Sequence, residues 1–128
     1  MSYHKKNRPV YLNLLKIRLP IGGVVSITHR VTGVLLVLLL PVSVYLLQVS
    51  VGSEAGFNKV AALFSTLPAR VVMLFCLWLF AQHFFSGLRH LLLDLDIGIS
   101  KAAARGGAWL TVAGSLLAVV LLGLGLLP

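Results

Sequence analysis

Three long apolar stretches dominate the chain, and short polar segments separate them. The stretches cover about residues 22–51, 68–93 and 107–127, and each exceeds the roughly 20 residues that an α-helix needs to cross a bilayer. This pattern predicts an all-α membrane protein with three transmembrane helices. They form a single domain over residues 21–128, which follows an N-terminal arm over residues 1–20.

Prolines and polar residues indicate where the helices begin and where they bend. Pro20 and Pro68 suit first turns, because the N–H that proline lacks would have no partner there, and Thr66 is a candidate cap before Pro68. Pro41 lies inside the first stretch and predicts a bend. The polar segment Gly52–Lys59 predicts a loop with one interfacial turn.

Composition agrees with a membrane protein and excludes a soluble globule. Of 128 residues, 59% are hydrophobic and only three are acidic, with a mean hydropathy of +0.99, which leaves too little polar surface for solubility. The net charge of +8 does not indicate nucleic-acid binding, because the basic residues flank apolar stretches instead of forming a polar face. The single cysteine, Cys76, has apolar neighbours and is expected to pack.

The distribution of lysine and arginine predicts the orientation in the membrane, since basic flanks resist translocation. One side would carry the N-terminal arm and the connection between the second and third helices, with Lys5, Lys6, Arg8, Lys16, Arg18, Lys101 and Arg105. The other side has only Lys59 and Arg70. The N-terminus is therefore expected in the cytoplasm and the C-terminus in the periplasm. The long basic leader and long first stretch are unlike a cleaved signal peptide.

Two ionisable residues lie at the same expected depth in the membrane. Arg30 follows Pro20 by ten residues and His83 precedes Asp94 by eleven. Because the first two helices run antiparallel, both side chains should lie about 15 Å from the cytoplasmic edge. Burying such groups is expensive, so the shared depth predicts one functional site.

Neighbouring residues extend this predicted site along both helices. Ser26 and Gly33 share a helix face with Arg30, whereas His29 is turned about 100° away, towards a neighbouring site. On the second helix, His83, Gly87 and His90 form one stripe. The two histidines of that stripe would be about 10 Å apart and cannot bind opposite sides of one iron. If this stripe bound a bis-histidine haem, the other ligand would have to come from His29 or from another chain.

Structural roles compete with these functional ones. Arg89 and His90 lie near a helix end, where their side chains would reach the headgroups, and Arg70 would do the same on the outer side. For Arg30 and His83, the structural alternative to a functional site is interhelical hydrogen bonding that holds the bundle together. The third helix has no ionisable residue in its apolar span, and its glycines, Gly114, Gly123 and Gly125, predict close packing without chemistry.

Several motifs occur together in this order: Arg8-Pro9 in the basic arm, Ser26-Ile27-Thr28-His29-Arg30-Val31-Thr32-Gly33, and His83 followed by Gly87-Leu88-Arg89-His90 and Asp94. In this topology the chain resembles the cytochrome b subunits of succinate dehydrogenase. The resemblance covers the first two helices. Residues Val10–Leu14 differ from mitochondrial members, which favours a bacterial branch.

The resemblance implies half of a heterodimeric, haem-binding anchor bundle in the bacterial inner membrane. A second small anchor subunit, a flavoprotein and an iron–sulfur subunit would be its partners, and electrons from succinate would pass through iron–sulfur centres to ubiquinone. The chain would not be catalytic by itself. The same architecture fits the anchor of a fumarate reductase, and a structural or proton-path membrane protein without haem is the alternative from another class.

The resemblance also implies individual roles. His83 corresponds to an axial ligand of haem b, with the other ligand from the partner subunit, while Ser26 and Arg30 correspond to quinone-site residues. The residues implied near the haem propionates are His29, Arg30 and His90. Supporting roles fall to Gly87, Arg89 and Asp94, and Asp94 is expected to pair with Arg89 or to assist proton delivery.

Overall fold

The chain forms four α-helices in the computed structural model, which describes residues 18–125. They are α1 (Ile21–Gly52), α2 (Glu54–Ser65), α3 (Leu67–Asp94) and α4 (Lys101–Gly123). Helices α1, α3 and α4 are long and apolar enough to cross a membrane. The prediction of an all-α membrane protein with three spans is therefore confirmed. The predicted arm up to residue 17, with its Arg8-Pro9 motif, lies outside the described residues.

The segment after the first span is a helix, and the prediction of a loop with one interfacial turn was wrong. Helix α2 has 12 residues, and the Ser53 hydroxyl accepts a hydrogen bond from the Gly56 backbone N–H at 3.0 Å. Glu54 in the first turn favours the positive end of the helix dipole. A Cβ on Gly56 would collide with the Val49 carbonyl of α1, so α2 begins in close contact with the end of the first span.

The third span begins six residues earlier than the predicted residue 107 and ends at Gly123 instead of residue 127. Ser100 caps it, accepting a hydrogen bond from the Ala103 N–H at 3.3 Å. Alanines at 102–104 then favour helix strongly enough to include Lys101 and Arg105 in the first turns. The connection between α3 and α4 is correspondingly short and turns through left-handed conformations at Asp96 (φ 60°) and Gly98 (φ 78°).

Prolines begin the helices as predicted. Pro20 is the N-cap residue of α1, and its carbonyl accepts from the Gly23 and Val24 N–H groups. Pro68 lies in the first turn of α3, after the N-cap residue Thr66. The Thr66 hydroxyl makes no cap hydrogen bond and instead donates back to the Leu63 carbonyl at 2.7 Å. Helix α1 continues through Pro41, and the bend expected there stays a prediction.

Helices α1, α3 and α4 pack against one another, with α2 against α1 and α3. Few large side chains are buried within the chain, and Val25 and Leu79 are the largest of them. Most large apolar side chains face outward, as expected where lipid and partner helices provide the surroundings.

A buried polar cluster joins α3 to α4. The Ser115 hydroxyl donates to Gln82 Oε1 at 2.6 Å, and Gln82 Nε2 donates to the Ser86 hydroxyl at 3.2 Å. All three side chains are at most 3% exposed. Interhelical hydrogen bonds of this kind stabilise membrane bundles, where an unsatisfied polar group would be costly.

Small residues on α4 allow close packing, as predicted for two of the three glycines. A Cβ on Gly114 would meet the Phe85 ring at 3.7 Å, and a Cβ on Gly123 would lie 2.7 Å from a Leu74 methyl. Gly125 has only the carbonyl of Leu122, in its own chain segment, within that range. The close packing predicted at Gly125 is therefore not seen.

Candidate functional site

The His83 side chain is fixed against the backbone of α1. Its Nδ1 lies 3.1 Å from the His29 carbonyl oxygen and 3.4 Å from the Thr32 hydroxyl oxygen. Since a carbonyl oxygen only accepts, Nδ1 carries the hydrogen and donates it. The neutral imidazole then has its free lone pair on Nε2, the nitrogen that can bind a metal.

Thr32 contributes to the same arrangement. Its hydroxyl donates to the Thr28 carbonyl at 2.8 Å and to the His29 carbonyl at 3.0 Å. The hydrogen of the hydroxyl is therefore directed at the helix backbone, and an oxygen lone pair can face His83 Nδ1. Thr32 is 1% exposed, so this contact lies inside the interface between α1 and α3.

Gly33 provides the space that His83 occupies. A Cβ at this position would lie 2.9 Å from Cε1 and 3.3 Å from Nδ1 of the His83 ring. Any side chain here would push the imidazole away from α1. Glycine at this position therefore permits the hydrogen bond between Nδ1 and the His29 carbonyl.

Three histidine rings form a continuous cluster between α1 and α3. The rings of His29 and His83 are stacked with centroids 4.2 Å apart and an angle of 20° between their planes. The ring centroid of His90 lies 5.2 Å from that of His29. Gly87 lies level with His29, since a Cβ there would be 3.4 Å from His29 Nε2. The expected stripe of His83, Gly87 and His90 therefore faces one residue of α1.

The stacked pair cannot bind one iron from both sides. An imidazole binds a metal through a lone pair in its ring plane, so two axial ligands must point nitrogens at each other across the metal. Nearly parallel rings with centroids 4.2 Å apart leave no such space. Among residues 18–125 there is also no group of three or more histidine, cysteine, aspartate or glutamate side chains that could hold a metal ion. Within residues 18–125, no histidine therefore lies where it could bind one iron together with His83.

An apolar groove opens beside His83. It has a volume of about 400 Å³ and runs between α1 and α3, lined by Gly33, Leu36, Leu40, Cys76, Phe80 and His83 among others. Phe80 is 61% exposed, so one wall is available to a neighbouring molecule. The groove can accept the edge of a flat, apolar ligand with the imidazole at its end. Cys76, expected to pack, is a half-buried free thiol in its wall.

Ser26 and Arg30 lie on a different side of α1 from His29. Ser26 is half-buried and Arg30 is exposed, whereas Val25 and Thr32 of the same helix are buried. The depth estimate correctly placed this part of α1 level with His83, but the residue brought against the imidazole is His29, because Arg30 is rotated by about 100°. Arg30 is therefore exposed near the depth of His83, and Ser26 is half-buried one turn earlier in α1.

Arg89 and Asp94, expected to support the site, point elsewhere. The Arg89 guanidinium donates from one terminal nitrogen to the Ala104 carbonyl of α4 at 3.3 Å. This hydrogen bond is to the backbone and not to Asp94. Asp94 is exposed at the last residue of α3. The structure brings together His29, His83, Gly87 and His90, and leaves Arg89 and Asp94 outside that cluster.

Two contributions were not anticipated from the sequence. Thr32 lies in the motif from Ser26 to Gly33, but no role was predicted for it. Its position four residues after Thr28 was the signal that its hydroxyl faces the next helix. The cluster of Gln82, Ser86 and Ser115 was also missed. The spacing of Gln82 and Ser86 on one face of an apolar helix was the only available signal.

Comparison with known proteins shows the family to which the chain belongs. Residues 4–122 match the family described as the succinate dehydrogenase/fumarate reductase transmembrane subunit. The chain is 34% identical over 119 residues to the succinate dehydrogenase cytochrome b556 subunit of Coxiella burnetii, covering 91% of this chain and 94% of that protein. It is 28% identical over 118 residues to the subunit of the same name from Paracoccus denitrificans, covering 92% and 91% respectively.

Proposed function

Because this chain belongs to the family of transmembrane subunits of succinate dehydrogenase and fumarate reductase, we propose that it is the cytochrome b subunit of a bacterial succinate dehydrogenase. It anchors a flavoprotein and an iron–sulfur subunit to the inner membrane together with a second small anchor subunit. Electrons from succinate pass through the iron–sulfur centres to ubiquinone. The matches to the two cytochrome b556 relatives cover nearly the whole chain, which supports this role over that of a more distantly related membrane protein.

The single observation that carries haem binding is the fixed orientation of His83. Its Nδ1 donates to the His29 carbonyl, so Nε2 is free to be an axial ligand of haem b. Gly33 leaves the imidazole its place, and the groove beside it accepts part of the macrocycle. When bound, haem b supplies a one-electron redox centre inside the membrane.

The second protein ligand of the haem would come from the partner anchor subunit. His29 is unsuited to this role because its ring is stacked on His83. His90 is seven residues from His83 on the same helix and cannot reach the opposite face of one iron. The exposed apolar wall at Phe80 gives the partner helices a surface to complete the site.

We propose that His29 and Arg30, at the level of His83, and His90, seven residues closer to the end of α3, hold the haem propionates. The half-buried imidazoles of His29 and His90 are in ring contact. Each can donate a hydrogen bond to a carboxylate, and the Arg30 guanidinium can offset its charge. Gly87 leaves the space in which His29 lies.

Ser26 and Arg30 are proposed to bind ubiquinone. The serine hydroxyl donates a hydrogen bond to a quinone carbonyl, and the guanidinium stabilises the negative charge that develops on reduction. Arg30 is exposed and Ser26 is half-buried, so a partner subunit would close the site. Asp94, exposed at the cytoplasmic end of α3, is left to accept or deliver protons near that site.

The orientation proposed for the chain places the N-terminus in the cytoplasm and the C-terminus in the periplasm. The start of α1, the end of α3 and the start of α4 share one end of the bundle, since the spans are antiparallel, and this end carries Arg18, Lys101 and Arg105. Lys59 and Arg70 are at the other end. The catalytic subunits would dock at the more basic end.

Purification of the native complex tests the proposal. We expect a reduced-minus-oxidised absorbance band of b-type haem, one haem per flavin, and succinate-dependent ubiquinone reduction. Reduction of fumarate with a low-potential quinol in preference to succinate oxidation would instead identify a fumarate reductase. A complex with neither haem absorbance nor bound quinone would identify a structural or proton-path membrane protein.

A further inference from the structure

A cationic cavity lies at the charged end of the bundle, away from the histidine cluster. It has a volume of about 650 Å³ and is lined by the start of α1 and by the first two turns of α4, with Arg89, Lys101, Arg105 and Trp109 among its walls. Among residues 18–125, no carboxylate lines it. Arg89 is next to His90 in the chain but about 100° around α3 from it, so this cavity and the histidine cluster occupy different faces.

The Arg89 side chain is held in place, although its Nε–H lacks a hydrogen-bond partner within residues 18–125. Its guanidinium lies between two glycines, 3.3 Å from the position a Cβ would take on Gly22 and 3.8 Å from that on Gly107. One terminal nitrogen donates to the Ala104 carbonyl. The Nε is buried and has no hydrogen-bond partner within residues 18–125. An Arg N–H without an acceptor in a protein interior is costly, so an anion beside it would be strongly favoured.

The helix termini around the cavity are unfavourable positions for cations when no anion is nearby. Lys101 and Arg105 are four residues apart in the first turns of α4, and like charges at this spacing repel each other. Both also oppose the positive end of the helix dipole. Helix α1 begins at the same cavity with no side-chain cap and no acidic residue in its first turn. An anion in the cavity would relieve all of these terms together.

An apolar groove continues from this cavity into the membrane. It has a volume of about 330 Å³ between α3 and α4, and it shares Arg89 and Ala104 with the cationic cavity. Its deeper walls include Phe85, Leu110 and Thr111. From Ala103 to Thr111 it extends about 12 Å along the helix axis. The combination of a cationic opening and an apolar groove matches a headgroup with an acyl chain.

We propose that this pair of cavities binds one anionic phospholipid. The phosphate group lies among Arg89, Lys101 and Arg105, and one acyl chain follows the groove between α3 and α4. Basic pockets at headgroup depth favour anionic over zwitterionic lipids, and Trp109, which is 57% exposed, suits the same interfacial level. This site uses none of the residues that we propose to hold haem or quinone; Arg89, for which the resemblance implied a supporting role there, lies outside the histidine cluster.

Fluorescence quenching of the purified complex tests the proposal. Phosphatidylglycerol with brominated acyl chains is titrated into the detergent-solubilised complex, and the contribution of Trp109 is taken as the difference from a Trp109→Phe complex. We expect saturable quenching by brominated phosphatidylglycerol, with at least about tenfold weaker binding of brominated phosphatidylcholine. Equal affinity for the two lipids would overturn the proposal.

Two matched variants locate the binding site. Lys101→Gln with Arg105→Gln removes two charges at the cavity, and Lys59→Gln with Arg70→Gln removes two at the other end of the bundle. The first pair should weaken phosphatidylglycerol binding about tenfold or more, and the second should leave it unchanged. Because neither pair alters Arg89, a folding defect of an Arg89 variant does not affect the test. Equal weakening by both pairs would contradict the proposed site.

Inorganic phosphate distinguishes the two sources of the anion. Added at the concentration of the lipid, it should not displace brominated phosphatidylglycerol, since it lacks the chain that fills the groove. Displacement by inorganic phosphate at that concentration would assign the cavity to a free anion and overturn the lipid assignment.

Discussion

His83 and His29 are joined twice, by a hydrogen bond from the His83 Nδ1 to the His29 backbone carbonyl and by stacking of their rings. The hydrogen bond determines which nitrogen carries the proton, and the stacking limits rotation of the ring. A metal ligand oriented in this way needs no rearrangement before it binds. The two contacts also connect α1 to α3 at the depth of the proposed haem.

Replacement of His83 by alanine should abolish or greatly loosen haem binding. The haem-to-flavin ratio of the purified complex, measured from absorbance, should fall to about a tenth or less, because loss of even an outer partner of a metal ligand weakens binding 10- to 100-fold. His29→Ala keeps the backbone carbonyl and should retain most of the haem. If haem survived His83→Ala but vanished in His29→Ala, the ligand assignment would be wrong.

Gly33→Ala should disturb the proposed haem ligand without removing it. The new Cβ would lie 2.9 Å from His83 Cε1, so the imidazole must move and its hydrogen bond to the His29 carbonyl must lengthen. We expect a shifted haem absorbance maximum and a changed haem midpoint potential. Gly52→Ala on the same helix is the control, since no atom lies within 4 Å of the added Cβ. Identical spectra for both variants would show that Gly33 does not control the ring.

Ser26→Ala should impair ubiquinone reduction while the haem content stays near that of the parent, and Arg30→Gln should impair it while also weakening the hold on the haem propionates. Loss of one neutral hydrogen bond predicts a decrease in kcat/KM for quinone of about tenfold for Ser26, and loss of a charged one predicts roughly 10- to 100-fold for Arg30. Ser65→Ala is a matched control, because this exposed hydroxyl of α2 only donates back to the Ala62 carbonyl. Full quinone activity in both site variants would exclude Ser26 and Arg30 from the quinone site.

Ser115→Ala should destabilise the subunit. It removes the donor to Gln82 Oε1 and leaves a buried acceptor unsatisfied, at a cost of about 1 kcal/mol in the free energy of unfolding. Thermal unfolding of the complex, or its resistance to denaturing detergent, measures this loss. Ser65→Ala should have no effect, as its exposed hydroxyl bonds only to the Ala62 carbonyl. Comparable losses in both variants would contradict a special role for the buried bond.

Helix counting predicted depth well and direction poorly. A constant rise per residue places Arg30 and His83 at one level from the sequence alone, and the contacts of His29, Thr32 and Gly33 with His83 confirm that level. Which face of α1 meets α3 depends on the packing of the whole bundle. That choice exposes Arg30 and turns His29 inward, and no local pattern on a uniformly apolar helix determines it.

The helix boundaries that were missed share a physical cause. Polar and glycine-containing segments resemble loops, yet Ser53 and Ser100 each cap a following helix. At a membrane surface, such capped turns extend the helix into the headgroup region, where charged side chains are tolerated. Hydropathy detects where the apolar span ends, which differs from where the hydrogen-bonded helix ends. Lys101 and Arg105 therefore belong to α4.

The hydrogen bond between Ser115 and Gln82 also fixes the position of α4 along α3. Because lipid tails are as apolar as the neighbouring helices, translation of α4 along α3 meets little resistance from its leucines and valines. A slip by one turn would shift α4 by about 5.4 Å and bring Val119 or Thr111 to the level of Gln82. Valine offers no hydrogen bond there. Threonine can supply a hydroxyl in the other direction, so the serine opposes a slip of the last span only in the direction that brings Val119 to Gln82.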